Sequence, residues 1–173
     1  MVQEIRPDIK VEYPTDSFKI FLAGTIDNGD SVDWQGEVIK NLVLETRDEK
    51  YGLLAPGEDI EITVFNPRRE HWKPGGIEAI MEDIAEQILW EEEKLDEADL
   101  ILMVIQDGSK SPVSLMELGL YGPSGKMIVF CTDKFYRYTN VRMTCEKYLI
   151  PLVNSTYVDD ILPEVYKALK DMR

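Results

Sequence analysis

Four apolar runs constrain this chain more than anything else in it. Residues 18–24 (FKIFLAG), 61–65 (EITVF), 99–105 (DLILMVI) and 127–131 (MIVFC) are almost continuously hydrophobic. They are too short for buried helices and lack the alternation of a strand with one wet face. Each therefore reads as a strand covered on both sides. Helical patterns separate them, over about residues 34–46, 77–98 and 113–121. A further helix near 139–148, a short strand at 150–153 and a closing helix at 157–170 complete the pattern.

Apolar strands alternating with helices imply right-handed crossovers and a parallel sheet. The expectation is an α/β, flavodoxin-like, doubly wound sheet of five strands. Counting those strands along the chain, their order is 2-1-3-4-5. Ligands of such sheets bind beyond the carboxyl ends of the strands, where the strand order reverses. That rule nominates the loops after Gly24 and after Ile105. Residues 1–17, polar and carrying Pro7 and Pro14, read as an N-terminal arm. Residues 18–173 read as a single domain, with 47–59 as a surface insertion. A chain of 173 residues can bury one core and is short for two.

Composition removes several kinds of function. Acids outnumber bases 33 to 19, for a net charge of −14. That field repels polyphosphate backbones and anionic lipid, which argues against a nucleic-acid polymer or a membrane as partner. No apolar run approaches a membrane span. Two cysteines, Cys131 and Cys145, make no disulfide scaffold and suit a reducing cytoplasm. The only histidine is His71, and neither CxxC nor HExxH occurs. No metal site is expected, and Ser–His–Asp chemistry would have to rest on one loop residue. Catalysis, if present, falls to carboxylates, hydroxyls and backbone groups, without a cofactor.

Two carboxylates stand in unusual places. On a helical wheel Ile84, Ile88, Leu95 and Ala98 form one stripe, and Glu91 falls within about 20° of Ile84 in that stripe. A carboxylate on a core-facing stripe is costly unless paired or functional. Glu91 is thus either a buried, hydrogen-bonded structural group or the wall of a site. Glu117 lies in the first turns of the helix that leaves the sheet's carboxyl edge. A helix start favours the anion, which predicts an ionised, nucleophilic group at neutral pH. Serving the helix dipole alone would explain it equally. Two carboxylates in one cleft suit glycosyl transfer: one attacks the anomeric carbon and the other orients groups around an oxocarbenium-like transition state.

Other candidates cluster in loops at the same edge. Gly24 and Thr25 open the first loop, and Asp27, Asn28, Asp30 and Asp33 follow. These polar groups suit hydrogen bonding to a base edge, or equally Asx turns and a helix cap. Asn66-Pro67-Arg68-Arg69 ends the second run; Arg68 and Arg69 face either a phosphate or surface carboxylates. Trp34 and Trp72 suit stacking on a base, or core packing. The segment Lys134-Phe135-Tyr136-Arg137-Tyr138 reads as an oligomer interface.

Taken in order, IFLAGTI, Trp90-Glu91 ahead of ADLILMVI, and SLMELG before a short strand resemble the nucleoside 2-deoxyribosyltransferase family over residues 18–153. The resemblance implies a flavodoxin-like enzyme. It would cleave a 2′-deoxynucleoside's N-glycosidic bond and pass the sugar to another nucleobase through a covalent glutamyl–sugar ester. It implies Glu117 of the ELG motif as nucleophile. Glu91, eight residues before Asp99, would hold sugar hydroxyls and position that nucleophile. It also implies that Asn140 reaches a neighbouring subunit's sugar, hence a homo-oligomer. Two departures from the family pattern matter. Ile20 and Phe21 stand where a tyrosine is common, leaving Tyr121 or Tyr138 as substitutes. Ser111 replaces an aspartate six residues before the nucleophile. A serine there resembles the related nucleoside 5′-monophosphate N-glycosidases, where it helps bind phosphate; a turn and helix cap would use it as well. The implied partners are a nucleoside or nucleotide and a free nucleobase. Hydrolysis of a nucleoside monophosphate is the alternative reaction, and a non-catalytic nucleotide-binding module the alternative role.

Overall fold

A computed structural model describes residues 1–26, 31–45, 60–69 and 77–171. Its sheet is parallel throughout, and its strands in chain order are β1 (Val2–Ile5), β2 (Phe18–Gly24), β3 (Ile62–Phe65), β4 (Leu100–Ile105), β5 (Met127–Cys131) and β6 (Leu152–Val153). Across the sheet the order is β1-β3-β2-β4-β5-β6. The helices are α1 (Trp34–Glu45), α2 (Ile77–Glu97), α3 (Pro112–Tyr121), α4 (Tyr138–Tyr148) and α5 (Val158–Asp171).

The five expected strands are present in the expected order, and the sheet has a sixth. The segment read as an arm contributes β1, paired in register with β3 through Val2↔Ile62 and Ile5↔Phe65. VQEI is short and only Ile5 of it is buried, so it carries no apolar run to announce it. The insertion at 47–59 lies outside the described residues.

Strand alternation divides the interior into two layers. Ile20 and Leu22 pack with Trp34, Val38 and Leu42 of α1 and with Ile161, Val165 and Leu169 of α5. Phe21, Ala23, Ile101 and Met103 face the other side, with Leu95 of α2, Leu118 of α3 and Val141 and Cys145 of α4. Thus α2 and α3 lie on the same face, and the order reverses between β2 and β4, the pair they flank.

Gly24 ends β2 at that reversal, with φ +128°. It pairs with Val104, and a Cβ on it would stand 2.0 Å from the Val104 carbonyl oxygen. Only glycine tolerates both the conformation and the approach.

Candidate active site

Glu117 on α3 and Glu91 on α2 are close enough for the charge of Glu91 to act on Glu117. Glu117 is on the buried face of α3, 8% exposed. Burial pushes its carboxyl up to about 8, and the neighbouring charge of Glu91 adds to the displacement. Glu91, on α2, is also pushed up by burial, opposed by a hydrogen bond from Gln87 and by the positive charge of Arg69. The ionised Glu117 expected from its helix start is therefore corrected. Pro112 opens the helix, so Glu117 sits past the first turn, where the dipole has faded, and desolvation prevails.

The face of α2 is also corrected. Ile84 and Ile88 are 37% and 46% exposed, whereas Asp83 and Gln87 are buried. Asp83, Gln87 and Glu91 follow one another at four-residue spacing, which makes a polar stripe on the inner side of an otherwise amphipathic helix. That spacing was the available signal for Asp83 and Gln87. It is overlooked when an inward face is assumed to be apolar.

The loop residues have definite tasks. Thr25 Oγ1 is 2.6 Å from Ser111 Oγ and accepts from the Gln106 amide at 3.0 Å. Ser111 Oγ also donates to Ser109 Oγ at 2.9 Å. Three hydroxyls thus converge at the head of α3, where Ser111 itself is left-handed at φ 42°. Asp33 is a cap: its Oδ1 accepts from the Gly36 amide at 3.0 Å.

Three expected ligand groups, Trp34, Asn66 and Arg68, are employed otherwise, and a fourth, Asn140, lies apart from the acid pair. Trp34 is 1% exposed and donates through its ring N–H to the Thr25 carbonyl at 3.1 Å, so its stacking role is corrected to core packing. Asn66 is wholly buried; its Nδ2 donates to Glu4 Oε1 at 2.7 Å, and its Oδ1 accepts from the Arg68 amide at 3.0 Å. Arg68 donates to the Ser31 carbonyl at 2.8 Å and pairs with Asp33 at 3.8 Å, tying β3's exit to the first loop. Asn140 is exposed on the first turn of α4. It borders a cleft of about 270 Å³ with Arg137, Thr144, Leu115 and Gly119. Leu115 and Gly119 lie roughly 160–200° around α3 from Glu117, so this cleft and the acid pair occupy different flanks. Asp27, Asn28, Asp30, His71 and Trp72 lie outside the described residues.

Of the substitute tyrosines, Tyr121 lies within the electrostatic reach of Glu117. Burial pushes its phenol up first, and the charges of Asp96, Glu92 and Glu117 push it further. Its hydroxyl donates to the Glu92 carbonyl at 3.4 Å. Tyr138 packs at the edge of the core.

A buried acid beside a carboxylate can share one proton with it, and deprotonation converts the acid into a nucleophile. Glu91→Gln should therefore lower the pH at which Glu117 ionises by about one unit, because it deletes the like charge and leaves the desolvation. A carboxyl ¹³C titration of Glu117 checks this; an unmoved or raised titration would show that the two charges do not interact.

A family model described as nucleoside 2-deoxyribosyltransferase like matches residues 17–135, more than half of the chain. No curated protein matches. Among solved structures, a conserved protein from Enterococcus faecalis V583 aligns with a TM-score of 0.52 at 12% identity. The alignment covers 91% of this chain and 99% of that one, and speaks to the fold.

Proposed function

The chain belongs to the nucleoside 2-deoxyribosyltransferase-like family, and on that premise we propose that it moves a (deoxy)pentosyl group between nucleobases through an ester on Glu117. The observation that supports this most is the acid pair. Glu117 and Glu91 are two partly desolvated carboxyls on the helices that follow β4 and β3, close enough to interact.

In this reading an ionised Glu117 oxygen attacks C1′. The C1′–N bond breaks, its electron pair leaves with the base, and the base takes up a proton. A ring nitrogen of a second base then attacks C1′, gives up its proton to the site or to water, and expels the carboxylate. Glu91 holds sugar hydroxyls and steadies the positive charge developing on the ring. Asn140, exposed in its own subunit, would serve a neighbouring subunit's sugar in a cytoplasmic homo-oligomer.

The hydroxyl cluster of Thr25, Ser109 and Ser111 favours a second reading, hydrolysis of a nucleoside 5′-monophosphate. One experiment addresses both. The protein is incubated with deoxynucleosides and with deoxynucleoside monophosphates, with and without a free acceptor base, and the quenched protein is digested for mass spectrometry. Base exchange together with a pentosyl adduct on the Glu117 peptide is the expected result. Base release from the monophosphate alone, independent of acceptor, supports the hydrolase. Binding without turnover would overturn both.

A further inference from the structure

Glu91 is held from behind by a chain of buried polar side chains that the reaction scheme does not use. One turn back on α2, Gln87 donates through Nε2 to Glu91 Oε1 and to the Pro67 carbonyl, the latter at 2.9 Å. The Gln87 Oε1 accepts from Arg69 Nε. Arg69 is anchored in turn: its Nη1 donates to Asp83 Oδ1 at 2.7 Å and its Nη2 to the Asp83 carbonyl at 3.4 Å. The Arg69 and Asp83 side chains are 5% and 3% exposed.

The direction of this chain is fixed by what each group can do. A guanidinium only donates. Its N–H therefore selects the oxygen end of the Gln87 amide, and the NH₂ end is left facing Glu91. The Pro67 carbonyl, an acceptor, demands the same orientation. A donor aimed at a carboxyl oxygen favours the charged form of that carboxyl. Glu117 has no hydrogen bond of this kind among the described residues and is buried within reach of the charge of Glu91.

We infer that Gln87 and Arg69 are positioning residues: the Asp83–Arg69–Gln87 chain keeps Glu91 as the charged member of the acid pair and leaves the pair's single proton on Glu117. The inference rests on the reading of Glu117 as the attacking group and names what governs its protonation. Among the described residues, the positive charge of Arg69 acts on Glu91 and the charge of Glu91 acts on Glu117; Asp83 is paired with Arg69, and Tyr121 on α3 lies within reach of the charge of Glu117. The resting site then carries one negative charge in a buried space instead of two. Glu117 becomes a nucleophile only as that proton departs.

The test uses ¹³C carboxyl titrations of Glu91 and Glu117 in the full chain, alongside the pH dependence of kcat/KM. In the unsubstituted protein, Glu91 should titrate in the lower step and Glu117 in the upper. Gln87→Met removes the donor at similar volume. Asp83→Asn combined with Arg69→Met removes both charges of the buried ion pair together. Each should raise the Glu91 titration by about one unit or more and spread both steps over both carboxyls. Titrations unchanged in both variants would overturn the inference, whatever the activity. Titrations that shift while the kcat/KM limb fails to follow the Glu117 signal would leave the positioning intact and remove Glu117 as nucleophile. A merely structural role would lower the melting temperature and move neither titration.

Discussion

Glu117→Gln should abolish base exchange and at the same time stabilise the protein. The loss of activity follows from chemistry: an amide cannot form the glycosyl ester, and removing a covalent nucleophile costs at least about a thousandfold in kcat. The gain in stability follows from linkage. The folded Glu117 is raised to about 8 from an ordinary 4.5. Between those values the folded state keeps a proton that the unfolded chain has released, so stability falls as pH rises through that window. Above pH 8 the whole penalty is present. A displacement of this size corresponds to roughly 5 kcal/mol. The amide is neutral at every pH and bears none of it. Denaturant unfolding from pH 5 to 9 should show the two proteins nearly equal at the acid end. They should diverge steadily above it, with Glu117→Gln the more stable. Parallel curves would mean that Glu117 is not desolvated when folded.

The sheet was legible because FKIFLAG, DLILMVI and MIVFC are buried on both faces, and nothing but a covered parallel strand suits them. β1 was not, because an edge strand with one buried residue looks like polar coil. In α2 the inward direction is hidden for a related reason. Ile84 and Ile88 satisfy the rule that apolar residues face the core, yet Asp83 and Gln87 occupy the inner side. That part of the helix covers an ion pair and a hydrogen-bonded amide, which hydropathy alone cannot distinguish from solvent. Glu91 and Glu117 were legible as carboxylates out of place. Their protonation was not, since it depends on burial and on Gln87 and Arg69, which come from another turn and another loop. Trp34 is the opposite case: the loop position suggested a ligand group, but a large apolar ring with one donor found the Thr25 carbonyl and the core.

The largest effect on folding is expected at Gly24→Ala. Two costs coincide there. At φ +128° an L side chain is strained whatever its surroundings. The new methyl would also sit 2.0 Å from the Val104 carbonyl oxygen and 2.8 Å from the Val104 carbonyl carbon and amide nitrogen. All three atoms belong to the backbone of a central strand, so no rotamer change relieves the clash. β2 and β4 must part at their carboxyl ends. That would break the Thr25 amide's bond to Val104, now 2.9 Å, and pull Thr25 from Ser111 at the head of α3. The expected destabilisation exceeds about 4 kcal/mol, in the range where a domain of this size ceases to accumulate folded. Gly119→Ala is the matched control. Its added methyl meets nothing within 4 Å inside α3, and alanine there should stabilise by about 0.5–1 kcal/mol. Melting temperatures of the two variants should therefore move in opposite directions. A Gly24→Ala protein that melts with the unsubstituted one would show that β2 and β4 do not approach so closely where the two carboxyl-bearing helices begin.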